Sequence, residues 1–214
     1  MSFRLQARDT EIVRTLCLNV RLISVSQAAE TWWEPTEAGQ GNARRRLRRL
    51  AESGLVALTT VIAHPVSALL APVVSWSPGD PEPNCGAVAW QLQRRWRDPV
   101  RSTTTYLATR RAASLFGGRA NGKLKHRYQA THDLGVTAIY LQLKRTRPDL
   151  AEHWIGEDLL APYRRKQKLP DAVVADHPGT TPSLVLEFGG AYDKQRVKDF
   201  HHDCERRALA YEIW

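Results

Sequence analysis

Cysteine is scarce in this chain: three residues in 214, at Cys17, Cys85 and Cys204, far apart and with no C-x-x-C pair. An odd, scattered set argues against the disulfide frameworks of small secreted domains and against a cysteine-based zinc site. No apolar run approaches the ~18 residues that a membrane span needs. The opening MSFRLQARDTE holds no apolar stretch and carries acids early, so no signal peptide is expected and the cytoplasm is the expected compartment. Internal repeats and low-complexity tracts are missing too, which argues against solenoid or array architectures.

What is there suits a globular protein. The hydrophobic fraction is 43% and the charged fraction 25%, enough apolar material for one large domain or two small ones. Lysine and arginine outnumber acids 31 to 22, a net charge of +9. A basic balance of this size favours polyanion partners, although a basic enzyme surface has the same composition. The placement of the charge has to decide.

Apolar residues at Ile12, Val13, Leu16 and Val20 recur at helical spacing, with Asp9 and Glu11 placed where a helix N-terminus favours acids. A second helix is expected from Ser26 to Trp33, capped by Ser24 or Ser26, before Pro35 and Gly39 break the chain. A third is expected over GNARRRLRRLAESG, with Asn42 as its cap and Gly54 closing it in a left-handed conformation. Two β-rich stretches follow, LVALTTVIAH and LLAPVVSW. Three helices and then a β-hairpin is the order of a winged helix, expected over residues 1–78. The Pro- and Gly-dense SPGDPEPNCG reads as a boundary, and residues 79–102 as a bridging segment containing WQLQRRWRDPVRS.

The third helix concentrates the charge. Arg44, Arg45, Arg46, Arg48 and Arg49 share it with a single nearby acid, Glu52, while Leu47 and Leu50 mark its buried side. In a helix-turn-helix this element enters the major groove, where arginine reaches guanine edges or clamps phosphates. Double-stranded DNA is the expected partner. The plainer explanation is a solvated basic face, or a surface that docks an acidic protein.

From residue 103 to 214 the expected order is α-β-β-β-α-β, the core of the restriction-endonuclease-like PD-(D/E)xK fold. The whole chain is thus expected to be α+β or α/β. Pro170-Asp171 opens one strand and Glu187 ends the next. In such nucleases two carboxylates hold Mg²⁺, which activates water and stabilises the leaving oxygen. Asp133 or Glu157 could supply a third acid. The lysine expected two residues after the glutamate is absent, because Glu187 is followed by Phe188 and Gly189. Lys168, Lys194 and Lys198 are the candidate substitutes. Each acid could equally cap a turn or pair with an arginine. His132 could shuttle protons or simply pack, and the glycine pair 189–190 fits a close backbone approach or a bulge.

The helix ARDTEIVRTL, the stretch ARRRLRRLAESGLV, the helix THDLGVTAIYLQL and the strands LPDAVV and LEFGG together resemble the replication-relaxation proteins of plasmids and other mobile elements. The resemblance spans most of the chain on short motifs. It implies a winged helix fused to a nuclease-like domain, often with an incomplete site, and a role in DNA replication, relaxation or transfer. Carried over on this resemblance are the Arg44–Arg49 run as the DNA helix and Asp171 and Glu187 as the acidic positions.

Three readings stand at this point. The first is a DNA-binding accessory protein. The second is an active Mg²⁺-dependent endonuclease, with Asp171, Glu187 and Glu157 on the metal and Lys168 or Lys194 near the water. The third is a non-enzymatic regulator whose C-terminal domain binds a protein partner or forms a homodimer, with Trp90 and Trp96 as anchors.

Overall fold

A computed structural model describes residues 4–65, 69–96, 98–118, 120, 122–124, 129–164 and 168–214. The chain is a mixed α+β protein, and it folds into two compact units that interleave along the sequence. One contains Met1–Ala63 and Val100–Leu141, the other His64–Pro99 and Gln142–Trp214. These units cut across the expected boundaries at residues 78 and 103.

The first unit begins with α1 (Ala7–Leu18), closed at its start by Gln6 and Asp9, each side chain accepting from the other's backbone. β1 (Ile23–Ser24) leads into α2 (Val25–Trp32), whose cap is Ser24, accepting from Gln27 N–H at 3.2 Å. α3 runs Glu37–Glu52 and starts earlier than Asn42, because the Thr36 hydroxyl accepts from Gly39 N–H at 3.0 Å. Gly39 does not break the helix. It lies inside the first turn, where an added Cβ would fall 2.0 Å from the Glu34 carbonyl oxygen, so only glycine allows this approach. Gly54 does close the helix with φ +73°, as expected.

β2 (Val56–Ala63) pairs with β4 (Arg101–Ala108), antiparallel, with Val56 opposite Ala108 and Ala63 opposite Arg101. The expected partner, LLAPVVSW, lies elsewhere: its β3 (Val74–Trp76) joins the other sheet. A hairpin between neighbouring strands is the default reading of a sequence, and here the whole of residues 64–99 is inserted between the two. β1 pairs with β4 on its other side, giving the order β1-β4-β2. Thr109 caps α5 (Arg110–Phe116), and the first part of α6 (Ala130–Thr146) completes the unit. Its core is drawn from every helix and strand, including Ile12, Leu47, Leu50, Ala28, Tyr106 and Ile139.

The second unit has a five-stranded sheet in the order β3-β8-β7-β6-β5. β5 (Trp154–Gly156), β6 (Ala172–Val174) and β7 (Leu184–Glu187) are successive antiparallel neighbours. α9 (Lys194–Arg206) then crosses over to β8 (Tyr211–Ile213), which lies parallel to β7. α4 (Cys85–Gln93) packs beside α9, and Val88 and Leu92 join Val197, Phe200, Val173, Val185 and Ile213 in one apolar core. α4 begins inside the stretch that reads as a linker, because Asn84 accepts from Ala87 N–H at 3.0 Å and caps it. Arg147, just before α7 (Pro148–Glu152), grips Glu212 with both guanidinium arms at 2.6 and 2.7 Å, and Trp214 donates to the same carboxylate at 3.0 Å. α8 (Glu157–Leu160) follows β5 directly.

Candidate functional site

The arginine run of α3 divides by helical geometry. Ala43, Leu47 and Leu50 are buried, so residues 44, 45, 48 and 49 occupy the opposite side, and all four are exposed. Arg46 sits at the border and is spoken for. It pairs with Asp9 through Nε at 2.7 Å and through a second short contact, and it donates to the Arg4 carbonyl at 2.9 Å. Asp9 is fully buried, so Arg46 neutralises an acid inside the unit. Arg46 is thereby tied into the fold of the unit, unlike the other four arginines of the run. Among the described residues no carboxylate pairs with Arg44, Arg45, Arg48 or Arg49. Arg44 and Arg48 also reach Tyr106 electrostatically. Burial pushes that phenol's pKa up, and the two cations oppose it.

The carboxyl pair of the second unit is set by strand register. Ala172 opposes Leu186 and Gly156 opposes Ala172, so one step further Glu157, Asp171 and Glu187 fall in a single row across three strands. Glu157 N–H donates to the Asp171 carbonyl at 2.9 Å. Asp171 N–H donates to Glu187 Oε2 at 3.3 Å, and Phe188 N–H to Asp171 Oδ2 at 2.7 Å. The Tyr192 hydroxyl makes a short hydrogen bond to Glu187 Oε1, and the Arg196 guanidinium lies 4.4 Å from the Tyr192 ring centre. Glu187 is 5% exposed. Burial first, and then the neighbouring charge of Asp171, push its pKa from 4.5 to about 8. Near neutral pH Glu187 is therefore mostly protonated.

The expected helpers do not all gather there. Among the described residues no group of three or more His, Cys, Asp or Glu side chains is placed to hold a metal ion, so Glu157 shares the row without completing a ligand set. Asp171 and Glu187 are hard-oxygen donors of the type that Mg²⁺ takes, and one or two such carboxylates together with substrate phosphates are its usual ligands. Lys168 is the one candidate lysine that reaches Glu187 electrostatically, and its ammonium lies 4.8 Å from the Phe200 ring centre. Lys194 and Lys198 lie near the start of α4, where both act on Cys85. Asp133 belongs to the first unit, paired with Arg21 at 3.2 Å and lying 3.6 Å from His132 Nδ1.

Position 189 has a physical reason for lacking lysine. A Cβ on Gly189 would fall 2.6 Å from Leu92 Cδ1 and 2.8 Å from Ile213 Cγ2. Leu92 of α4 thus occupies the space where that side chain would start, and both neighbours are fully buried. The glycine pair serves this close packing, together with the φ of +51° at Gly190. Trp90 of α4 is 58% exposed, with Arg94 stacked 4.7 Å from its ring centre. The Trp96 side chain and most of residues 119–127 lie outside the described residues.

Sequence reasoning missed Tyr192 and Arg196. Their one signal was i,i+4 spacing, which says nothing about an acid on a strand. No helix of the described residues is long and apolar enough to cross a membrane. No protein-family profile, no curated protein and no solved structure matches the chain.

Proposed function

We propose that this is a DNA-binding protein in which a winged helix in the first unit holds the duplex through α3, joined to a restriction-endonuclease-like unit that does not cleave. The observation that carries the reading is the exposed quartet Arg44, Arg45, Arg48 and Arg49, opposite the buried Ala43, Leu47 and Leu50. The order α1-β1-α2-α3-β2-β4, with β4 between β1 and β2, supports a winged helix. In that architecture the third helix enters the major groove. The order β5-β6-β7-α9-β8, with β8 parallel to β7, supports the strand core of a nuclease-like unit, although most of the helix expected to open it, α6, lies in the first unit. The setting in plasmid or mobile-element replication, relaxation or transfer rests on the resemblance alone.

A second reading, a Mg²⁺-dependent endonuclease, draws on the adjacency of Asp171 and Glu187. Against it stands the filled space at Gly189, where the motif's lysine would start.

Two assays test the proposal. Duplex affinity, measured by fluorescence anisotropy, is expected to fall steeply with salt, as it must when arginines displace condensed counterions. A salt-independent affinity would remove α3 from the interface. Supercoiled plasmid incubated with the protein and Mg²⁺ or Mn²⁺ is expected to stay intact. Nicking lost in both Asp171→Ala and Glu187→Ala would establish the endonuclease instead.

A further inference from the structure

A cleft of about 400 Å³ opens on the first unit, lined by Gln6, Arg8, Trp33, Asn42, Arg45 and Arg49, with Arg46 also on its wall. Its charge is largely uncompensated. Asp9 cancels Arg46, whereas among the described residues no carboxylate pairs with Arg8, Arg45 or Arg49. The Arg8 guanidinium stands 4.5 Å from the Trp33 ring centre, and Arg45 donates to Asn42 Oδ1 at 2.5 Å. The cleft therefore combines three cationic forks with one aromatic plane, in a volume typical of small-ligand sites.

We propose that this cleft binds a nucleotide through its terminal phosphate, as a DNA end or a free nucleoside monophosphate. Arg45 and Arg49, one turn apart on α3, take the phosphate oxygens, and the Trp33–Arg8 stack forms the wall for the nucleoside. Three facts separate this from ordinary backbone contact. A phosphomonoester carries about −1.5 to −2 charge at neutral pH, whereas a backbone diester carries one, and the two guanidinium groups of Arg45 and Arg49 match the larger charge. The cleft gathers Arg45 and Arg49 with Arg8 of α1 and Trp33, whereas Arg44 and Arg48 do not line it. A Trp plane adds stacking that any base can use. The natural ligand, a DNA end, rests on the duplex-binding reading; the site itself does not.

Isothermal titration of the full chain with thymidine 5′-monophosphate, thymidine and inorganic phosphate tests this. The monophosphate is expected to bind saturably, and thymidine roughly tenfold more weakly or worse, as loss of charge-assisted hydrogen bonds requires. The Arg45→Ala, Arg49→Ala variant is expected to lose a similar factor, and Arg45→Lys, Arg49→Lys to fall between. Arg110→Ala, an exposed charge on α5, is expected to match the wild type. Equal binding of monophosphate and thymidine, no saturable heat, or undiminished binding in the double alanine variant would overturn the proposal. Phosphate binding as tight as the monophosphate would overturn its nucleotide part. Monophosphate binding by a chain that fails to bind duplex would overturn the duplex reading and leave this one standing.

Discussion

On α3 four arginines stand in solvent with no carboxylate paired to them among the described residues, whereas at the ends of β6 and β7 Glu187 is buried beside a half-buried Asp171 and holds its proton near neutral pH. The arginines lie outside a core already closed by Ala43, Leu47 and Leu50, so their charge remains available to a partner. Glu187 lies inside a core, so its charge has to be resolved within the chain, by Tyr192, by the Asp171 backbone N–H and by protonation. Like residues read in a sequence as a functional cluster can therefore differ in what they offer. Arg46 shows the same divide within a single helix.

The sharpest way to break this contrast is to treat Arg46 as one of the exposed set. Arg46→Ala leaves the buried Asp9 carboxylate unpaired and is expected to cost the first unit on the order of 3–5 kcal/mol. Arg48→Ala is expected to change stability by less than about 0.5 kcal/mol. Thermal and urea unfolding would show both, and equal small effects would mean that the Arg46–Asp9 pair contributes nothing.

A second test uses pH. Glu187 binds its proton more tightly folded than unfolded, so the folded chain holds the extra proton between pH 4.5 and about 8. Its contribution to stability is fully present below 4.5 and declines as pH rises through about 8. Glu187→Gln keeps a neutral group there and is expected to flatten that decline, gaining up to about 5 kcal/mol over the wild type above pH 8. An unchanged slope of stability against pH in the variant would show that Glu187 ionises freely.

A third, smaller effect concerns Gly189. Gly189→Ala is expected to cost about 1–3 kcal/mol by overpacking against Leu92 and Ile213. In a Leu92→Ala background the added penalty is expected to shrink, and a full penalty there would place the conflict elsewhere.

Much of this architecture was legible in the sequence where a local signal coincided with the tertiary result. The helical stripe of Ile12, Val13 and Leu16, the left-handed Gly54 and the strands around Asp171 and Glu187 all declared themselves. The partner of β2 did not. RSTTTYLA and LLAPVVSW have equal β character, and only the inserted α4, packing against α9, decides which one returns to β2. The start of α3 was hidden because Gly39 looks like a breaker until the Glu34 carbonyl is seen against it. At the carboxyl pair the two acids were readable from their strand positions, while the occupant of the lysine's space was not. Leu92 lies almost a hundred residues from Gly189, and no spacing rule links them.

The most direct measurement is the affinity of Arg45→Glu, Arg48→Glu for a duplex, set against the wild type by fluorescence anisotropy at one fixed, low salt concentration. The account predicts that the folded variant loses duplex binding by roughly a hundredfold or more, since two attractions to phosphate become two repulsions. A variant that binds as tightly as the wild type would contradict it.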